Sequence, residues 1–215
     1  MTHSEENYLK IIYHLSQAQP KGVSTNAIAE MMETKASSVT DMIKKLADKE
    51  LVDYQRYQGV KMTEIGQCEA KMIIRNHRLW EVFLVDKLNF SWDEVHEVAE
   101  ELEHIKSEKL ISRLDEFLGF PTHDPHGDPI PDRNGEIVKI EKFLLSDAPT
   151  NKPLICVGVK DTSSEFLQYL DKNRIALGSA IVIIDKEDFD SSLTITINGQ
   201  QIMLSNKITT NLYVK

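Results

Sequence analysis

Apolar residues recur at helical spacing through the first fifty positions. In residues 4–18, Tyr8, Leu9, Ile12 and Leu15 fall on one face. Pro20 and Gly22 end that run. Ser24 or Thr25 can cap a second helix that turns Ile28, Ala29 and Met32 inward. After a short turn at 33–35, Val39, Met42, Ile43 and Leu46 mark the inner face of a third helix, from about Ala36 to Glu50. From Leu51 to Met62 the period shifts to alternation around Gly59, which predicts a hairpin. Helix, turn, helix and hairpin outline a winged helix-turn-helix.

Longer helices follow. Thr63 can cap one running from about Glu64 to Leu88. Ser91 and Glu94 have capping-box spacing, which predicts a helix from there to about Ile105. Ser107 can cap another that ends near Gly119. Outside the winged unit, such helices suggest a dimerisation and sensing domain. Pro121, Pro125, Pro129, Pro131 and Pro149 then break the pattern and mark a linker, with a short helix over 141–145. The remainder is β-rich. Leu154–Val159, 180–184 and 193–197 read as strands, a short helix over 163–173 separates the first two, and Asn198-Gly199 predicts a tight hairpin. The expected fold is mainly α, with a winged helix-turn-helix, a helical dimerisation and metal-sensing domain, and a small C-terminal β-barrel, α+β overall. The boundaries fall at 1–63, 64–120, a linker over 121–152, and 153–215.

Charge complicates a nucleic-acid reading, because the net charge of the 215-residue chain is -9. The distribution softens the objection. Lys35, Lys44, Lys45, Lys49, Arg56 and Lys61 outnumber Asp41, Asp48, Glu50 and Asp53 in the winged segment. From Asp93 to Glu103 there are six acids and no lysine or arginine. That region would repel phosphate unless a positive charge sat there. The polar, acidic N-terminus and the lack of a bilayer-length apolar run predict a cytoplasmic protein with no membrane partner. Cys68 and Cys156 lack partners at zinc-site spacing and read as reduced, packed thiols.

The chemistry-bearing residues lie on the helices after the hairpin. His77 and Glu81 are four apart on one face. His96 and Glu100 share a face with either Glu103 or His104. Carboxylates and imidazoles converging on helices suit a bundle-core metal site, and the absence of thiolate favours Mn²⁺, Fe²⁺ or Zn²⁺. Taken singly, each residue is more simply a solvated helix face; the joint pattern carries the metal reading. His123, Asp124, His126 and Asp128 can mimic a metal cluster, but a polar turn is the simpler account.

Residues 1–140 resemble the diphtheria toxin repressor family of metal-dependent regulators, including its manganese-sensing branch. The matching stretches are Tyr8-Leu-Lys-Ile-Ile-Tyr-His-Leu15, Ala36-Ser-Ser-Val-Thr40, Asn76-His-Arg-Leu-Trp-Glu81, Val95-His96, Glu100-Glu-Leu-Glu-His104 and Gly127-Asp-Pro-Ile-Pro131. The C-terminal region is similar to the SH3-like domain of many members. The resemblance implies a non-enzymatic repressor that binds double-stranded operator DNA as a homodimer when loaded with Mn²⁺ or Fe²⁺. Other divalent transition metals would serve in vitro, no small organic substrate is expected, and metal-uptake genes are the family's targets. It also implies two metal sites. One uses His77, Glu81 and His96, completed by Asp161 and Glu165; the other uses Glu100, Glu103, His104 and Asn7. Glu100 stands where iron-sensing members have cysteine, Asn7 replaces the usual aspartate, and Lys10 replaces a glutamate of the short manganese regulators.

The third helix is expected in the major groove. Lys35, Ser37, Ser38 and Thr40 lie near its start, and Lys44, Lys45, Arg56 and Tyr57 are candidate backbone contacts. Two rival readings are a winged-helix regulator of an organic ligand and a di-metal carboxylate oxidase. The second needs Glu-x-x-His on two helices, and here only Glu101 and His104 clearly supply it.

Overall fold

The computed structural model describes residues 1–55, 59–138 and 140–215. It divides into two compact units. The first comprises Met1–Arg78, Glu100–Ser112 and Pro131–Ile137; the second comprises Leu79–Ala99, Arg113–Ile130 and Val138–Lys215.

In the first unit, α1 spans His3–Ala18 and opens with a capping box between Thr2 and Glu5. Ser24 caps α2, Thr25–Met31, by accepting the Ala27 amide. The helix α3 spans Ala36–Asp48. The antiparallel pair β1, Val52–Gln55, and β2, Gly59–Met62, follows as the wing. Leu9, Ile12, Val23, Ile28, Val39, Ile43, Leu46 and Val60 are wholly buried in one cluster. Each contributes roughly 1.5–3 kcal/mol by leaving water, so this core sets the direction of α3. Thr63 caps α4, Glu64–Leu88, through the Gly66 amide. A Cβ at Gly66 would stand 1.9 Å from the Leu51 carbonyl, so only glycine lets α4 start against the wing.

The second unit carries a six-stranded antiparallel sheet in the order β3-β8-β4-β5-β6-β7. Its strands are β3, Phe143–Leu144; β4, Pro153–Val159; β5, Ala180–Lys186; β6, Leu193–Ile197; β7, Gln200–Leu204; and β8, Leu212–Val214. The predicted hairpin is present, with Asn198 and Gly199 at φ of 50° and 76°. Helix α7, Ser164–Lys172, buries Phe166, Leu167 and Leu170 in the sheet's core, and a short α8 spans Asn206–Thr209.

Two local expectations change. The helix expected from Ser91 begins at Val95 and ends at Leu102, as α5. Glu94 does reach back to the Ser91 amide, but residues 92–94 form a turn, with Trp92 packed on the sheet's core. The helix expected over 141–145 is instead the strand β3 and a single 3₁₀ turn, Leu145–Asp147. Pairing with β8 and complete burial of Leu145 outweigh local propensity there. Helix α6 spans Glu108–Phe117. Cys68 is exposed rather than packed, whereas Cys156 is buried. Among the described residues no helix is long and apolar enough to cross a membrane.

Candidate metal centres and DNA-reading surface

Four side chains of the second unit converge. The latter part of α4 supplies Glu81, the start of α5 supplies His96, and the loop 121–130 supplies Asp124 and His126. Glu81, Asp124 and His126 are 2%, 6% and 4% exposed. Their ligand atoms lie within 4.8 Å of one another. His126 Nδ1 is 3.7 Å and His96 Nδ1 is 3.8 Å from Glu81 Oε1. The His96 side chain is largely exposed.

The loop is fixed from within. Asp124 Oδ1 accepts the amides of His126 and Asp128, both at 2.9 Å. The Val159 amide donates to the His126 carbonyl at 2.9 Å. Gly127 sits at φ 85°, where a Cβ would lie 2.1 Å from the Val157 carbonyl oxygen. His126 donates Nε2–H to the Trp92 carbonyl, which can only accept. In its neutral form the ring therefore turns the Nδ1 lone pair toward Glu81. Burial pulls the His126 pKa down, but the hydrogen bond to Glu81 and the charges of Glu81 and Asp124 outweigh it and leave the pKa raised. Two buried carboxylates beside an imidazole of fixed tautomer, with no thiolate, fit a divalent ion that prefers oxygen and nitrogen donors.

The first unit holds a different cluster. His77 donates Nδ1–H to Glu103 Oε2 at 2.7 Å. Glu100, Glu103 and His77 have ligand atoms within 4.8 Å. The Lys10 ammonium sits among them, 2.5 Å from Glu100 Oε1 and 2.7 and 2.8 Å from the two oxygens of Glu103. His104 donates Nδ1–H to Glu6 Oε2 at 2.6 Å, and Lys106 approaches Glu6 Oε1 at 3.2 Å. This set already holds a cation and does not fit a metal as it stands.

The expected ligand sets are met in part. Glu81 and His96 come together as expected, and His77 keeps its expected place one turn before Glu81 on α4 while its Nδ1–H is donated to Glu103. Among the described residues, Asp161 and Glu165 join no metal-competent group. Asp161 instead accepts the Ser163 amide, and Glu165 is exposed in the first turn of α7. The hydrogen bonds to Ser163 hold the Asp161 pKa low. Asp124 and His126, for which a polar turn was the simpler reading than a metal cluster, stand beside Glu81. Glu100, Glu103 and His104 do gather, but around Lys10 and Glu6, and the Asn7 Oδ1 atom is buried without a hydrogen-bond partner. Glu6 was missed; its four-residue spacing to Lys10 on the face of Tyr13 was the available signal.

On α3, Lys35 occupies the N-cap position with no side-chain cap, so the helix start keeps amides for an outside acceptor. Lys35, Ser37, Ser38, Lys44 and Lys45 are exposed. Thr40 turns its hydroxyl back to the Ala36 carbonyl, and Lys44 lies 3.4 Å from Asp41. Arg56 and Tyr57, also expected at the DNA, lie outside the described residues.

A winged helix combined with a buried carboxylate–imidazole cluster defines a metal-responsive DNA-binding regulator. Comparison with known proteins agrees. Residues 1–60 match the N-terminal DNA-binding domain of the iron-dependent repressors, residues 63–132 their metal-binding and dimerisation domain, and residues 143–215 the FeoA domain. A helix-turn-helix-type transcriptional regulator of Methanocaldococcus jannaschii is 36% identical over 118 residues, covering 55% of this chain and 94% of that one. The diphtheria toxin repressor of Corynebacterium diphtheriae is 29% identical over 93% of this chain and 91% of its own length. A solved manganese-dependent transcriptional repressor in complex with manganese is 33% identical, with a TM-score of 0.82 over 98% of both chains. The chain belongs to the iron-dependent repressor family of metal-dependent transcriptional repressors, which are DNA-binding regulators and not enzymes.

Proposed function

We propose that this protein is a cytoplasmic, homodimeric repressor that binds operator DNA when Glu81, Asp124 and His126, assisted by His96, hold Mn²⁺ or Fe²⁺. The observation that carries this reading is the burial of two carboxylates beside one imidazole in a single cluster. An ion bound there supplies positive charge that compensates Glu81 and Asp124. The manganese complex of the 33% identical repressor supports the choice of metal. Genes for uptake of the sensed metal are the proposed targets, and the domains are proposed at 1–63, 64–120 and 153–215 with a linker over 121–152.

The protein's own groups do the rest. Without a counter-charge, the buried carboxylates of Glu81 and Asp124 repel, which favours separation of α4 from the loop 121–130. Neutralised, they hold that loop and α4 in one arrangement. The ion must favour the DNA-competent arrangement, since equal affinity for both would shift nothing. Each tenfold gain in operator affinity requires about 1.4 kcal/mol of such coupling.

At the other end, the open amides and hydroxyls at the start of α3 suit phosphate, with Lys35, Lys44 and Lys45 adding charge. Two-fold pairing would double that grip and call for a palindromic site. Leu88, Phe117 and Phe120, each more than half exposed, supply apolar surface for pairing in the second unit.

The test starts from an operator selected out of random duplexes with Mn²⁺ present. Binding is then titrated with Mn²⁺, Fe²⁺, Co²⁺ and Zn²⁺ at fixed salt, because salt alone moves affinity. Wild-type binding should depend on metal, and Glu81→Gln and Asp124→Asn should lose the dependence. Unchanged metal-dependent binding by both variants would overturn the site. Metal-independent binding would leave an organic effector as the better reading.

A further inference from the structure

We infer that the Lys10 ammonium takes the place of a second metal ion, so that this repressor is switched by one divalent ion per protomer. This rests on the function proposed above and adds its stoichiometry.

The geometry is that of a tethered cation in a carboxylate site. Lys10 Nζ has three N–H donors, and three carboxylate oxygens of Glu100 and Glu103 stand at 2.5–2.8 Å. The Lys10 side chain is 10% exposed and that of Glu103 is 0% exposed. A divalent ion using the same oxygens would lie against the ammonium, in a low-dielectric setting where like charges repel strongly. Withdrawing Lys10 would strip a buried charge of its partners. The ammonium is held by its own helix, so it competes at a high effective concentration.

The neighbouring groups agree. Glu6, four residues before Lys10 on α1, accepts His104 Nδ1–H, so α1 is fastened to residues 100–106 at two points by groups of the chain itself. His77 already donates to Glu103. Asn7 Oδ1, buried without a hydrogen-bond partner among the described residues, is neutral and brings no charge to recruit a cation. A metal is therefore not needed to dock the first helix of the winged unit, and metal control falls to the cluster of Glu81, Asp124 and His126.

Equilibrium dialysis of the full chain against Mn²⁺, followed by elemental analysis, counts bound ions. Wild type and Lys10→Arg should hold one per chain. Lys10→Met should hold two, and should gain more thermal stability from Mn²⁺ than wild type does. The double variant Glu81→Ala/Asp124→Ala should hold none. Two ions in the wild type, or one in a folded Lys10→Met protein, would overturn the inference while leaving the metal-sensing reading in place. No ion in the wild type would refute that reading itself, and this inference with it. The wild-type count decides even where Lys10→Met does not fold.

Discussion

His126 donates Nε2–H to the Trp92 carbonyl at 2.8 Å, and this bond selects which ring nitrogen is presented to Glu81. Trp92 is itself held, its indole N–H donating to Asp171 Oδ2 at 3.1 Å. The imidazole is thus aimed by backbone that is anchored elsewhere in the same unit.

A pH dependence follows from that arrangement. The His126 pKa is raised above its ordinary value of 6.5. Protons and metal compete for Nδ1, so Mn²⁺ affinity should begin to fall at a higher pH than an unperturbed imidazole dictates. In the metal-free protein the raised pKa contributes stability that is complete below the unfolded value and lost as pH rises through the folded one. Acidification should therefore weaken metal binding while steadying the metal-free fold. Calorimetric Mn²⁺ titrations over roughly pH 6–8 check this, with a flatter profile expected for His126→Gln.

Gly127→Ala should damage the metal site without touching a ligand. Any Cβ there meets the backbone of Val157 and Gly158 at 2.1 and 2.5 Å, and φ is 85°. The loop must move, carrying Asp124 and His126 with it. A loss of about 2 kcal/mol in stability is expected, together with weaker Mn²⁺ binding. Thermal unfolding and metal titration measure the two effects; unaltered metal affinity would contradict the role given to the loop.

Lys44→Ala and Lys45→Ala should weaken operator binding evenly across sequences. If each lysine neutralises one phosphate, the slope of log affinity against log salt should fall by about 1 per substitution. The exposed Lys44–Asp41 pair contributes at most about 1 kcal/mol to folding, so Lys44→Ala should leave stability nearly unchanged. Ser37→Ala should instead act at particular operator positions if its hydroxyl reaches a base edge. Binding isotherms at several salt concentrations separate these behaviours.

The two thiols should differ sharply in reactivity. Burial pushes the Cys156 thiol up to about 11, whereas Cys68 is exposed. A chromogenic disulfide reagent at mildly alkaline pH should modify one thiol per chain quickly. The second should react only on unfolding, and Cys68→Ser should abolish the fast phase.

Periodicity, with cap, breaker and turn residues, located the helices of the winged unit, the wing, α4, α7 and the Asn198-Gly199 hairpin. In those segments local preference and burial agree, so the spacing of Val39, Ile43 and Leu46 already states which side of α3 faces inward. The region over 141–145 and the start of α5 were misread because pairing with β8 and the packing of Trp92 are long-range events. The residue types of the metal chemistry were legible too, since a helix fixes the spacing of His77 and Glu81. Which donors actually meet was legible only in part: Glu81 with His96, and Glu100 with Glu103, but not Asp124 and His126 beside Glu81. Asp124 and His126 belong to a loop whose course depends on a close approach of Gly127 to β4, a contact with no periodic signature. Lys10 was visible as a departure from the short manganese regulators, but a charge in sequence does not reveal where its ammonium comes to rest. Sequence determined which groups were on offer and along which helical faces; tertiary packing decided their partners, because a loop and a long side chain are positioned by what surrounds them.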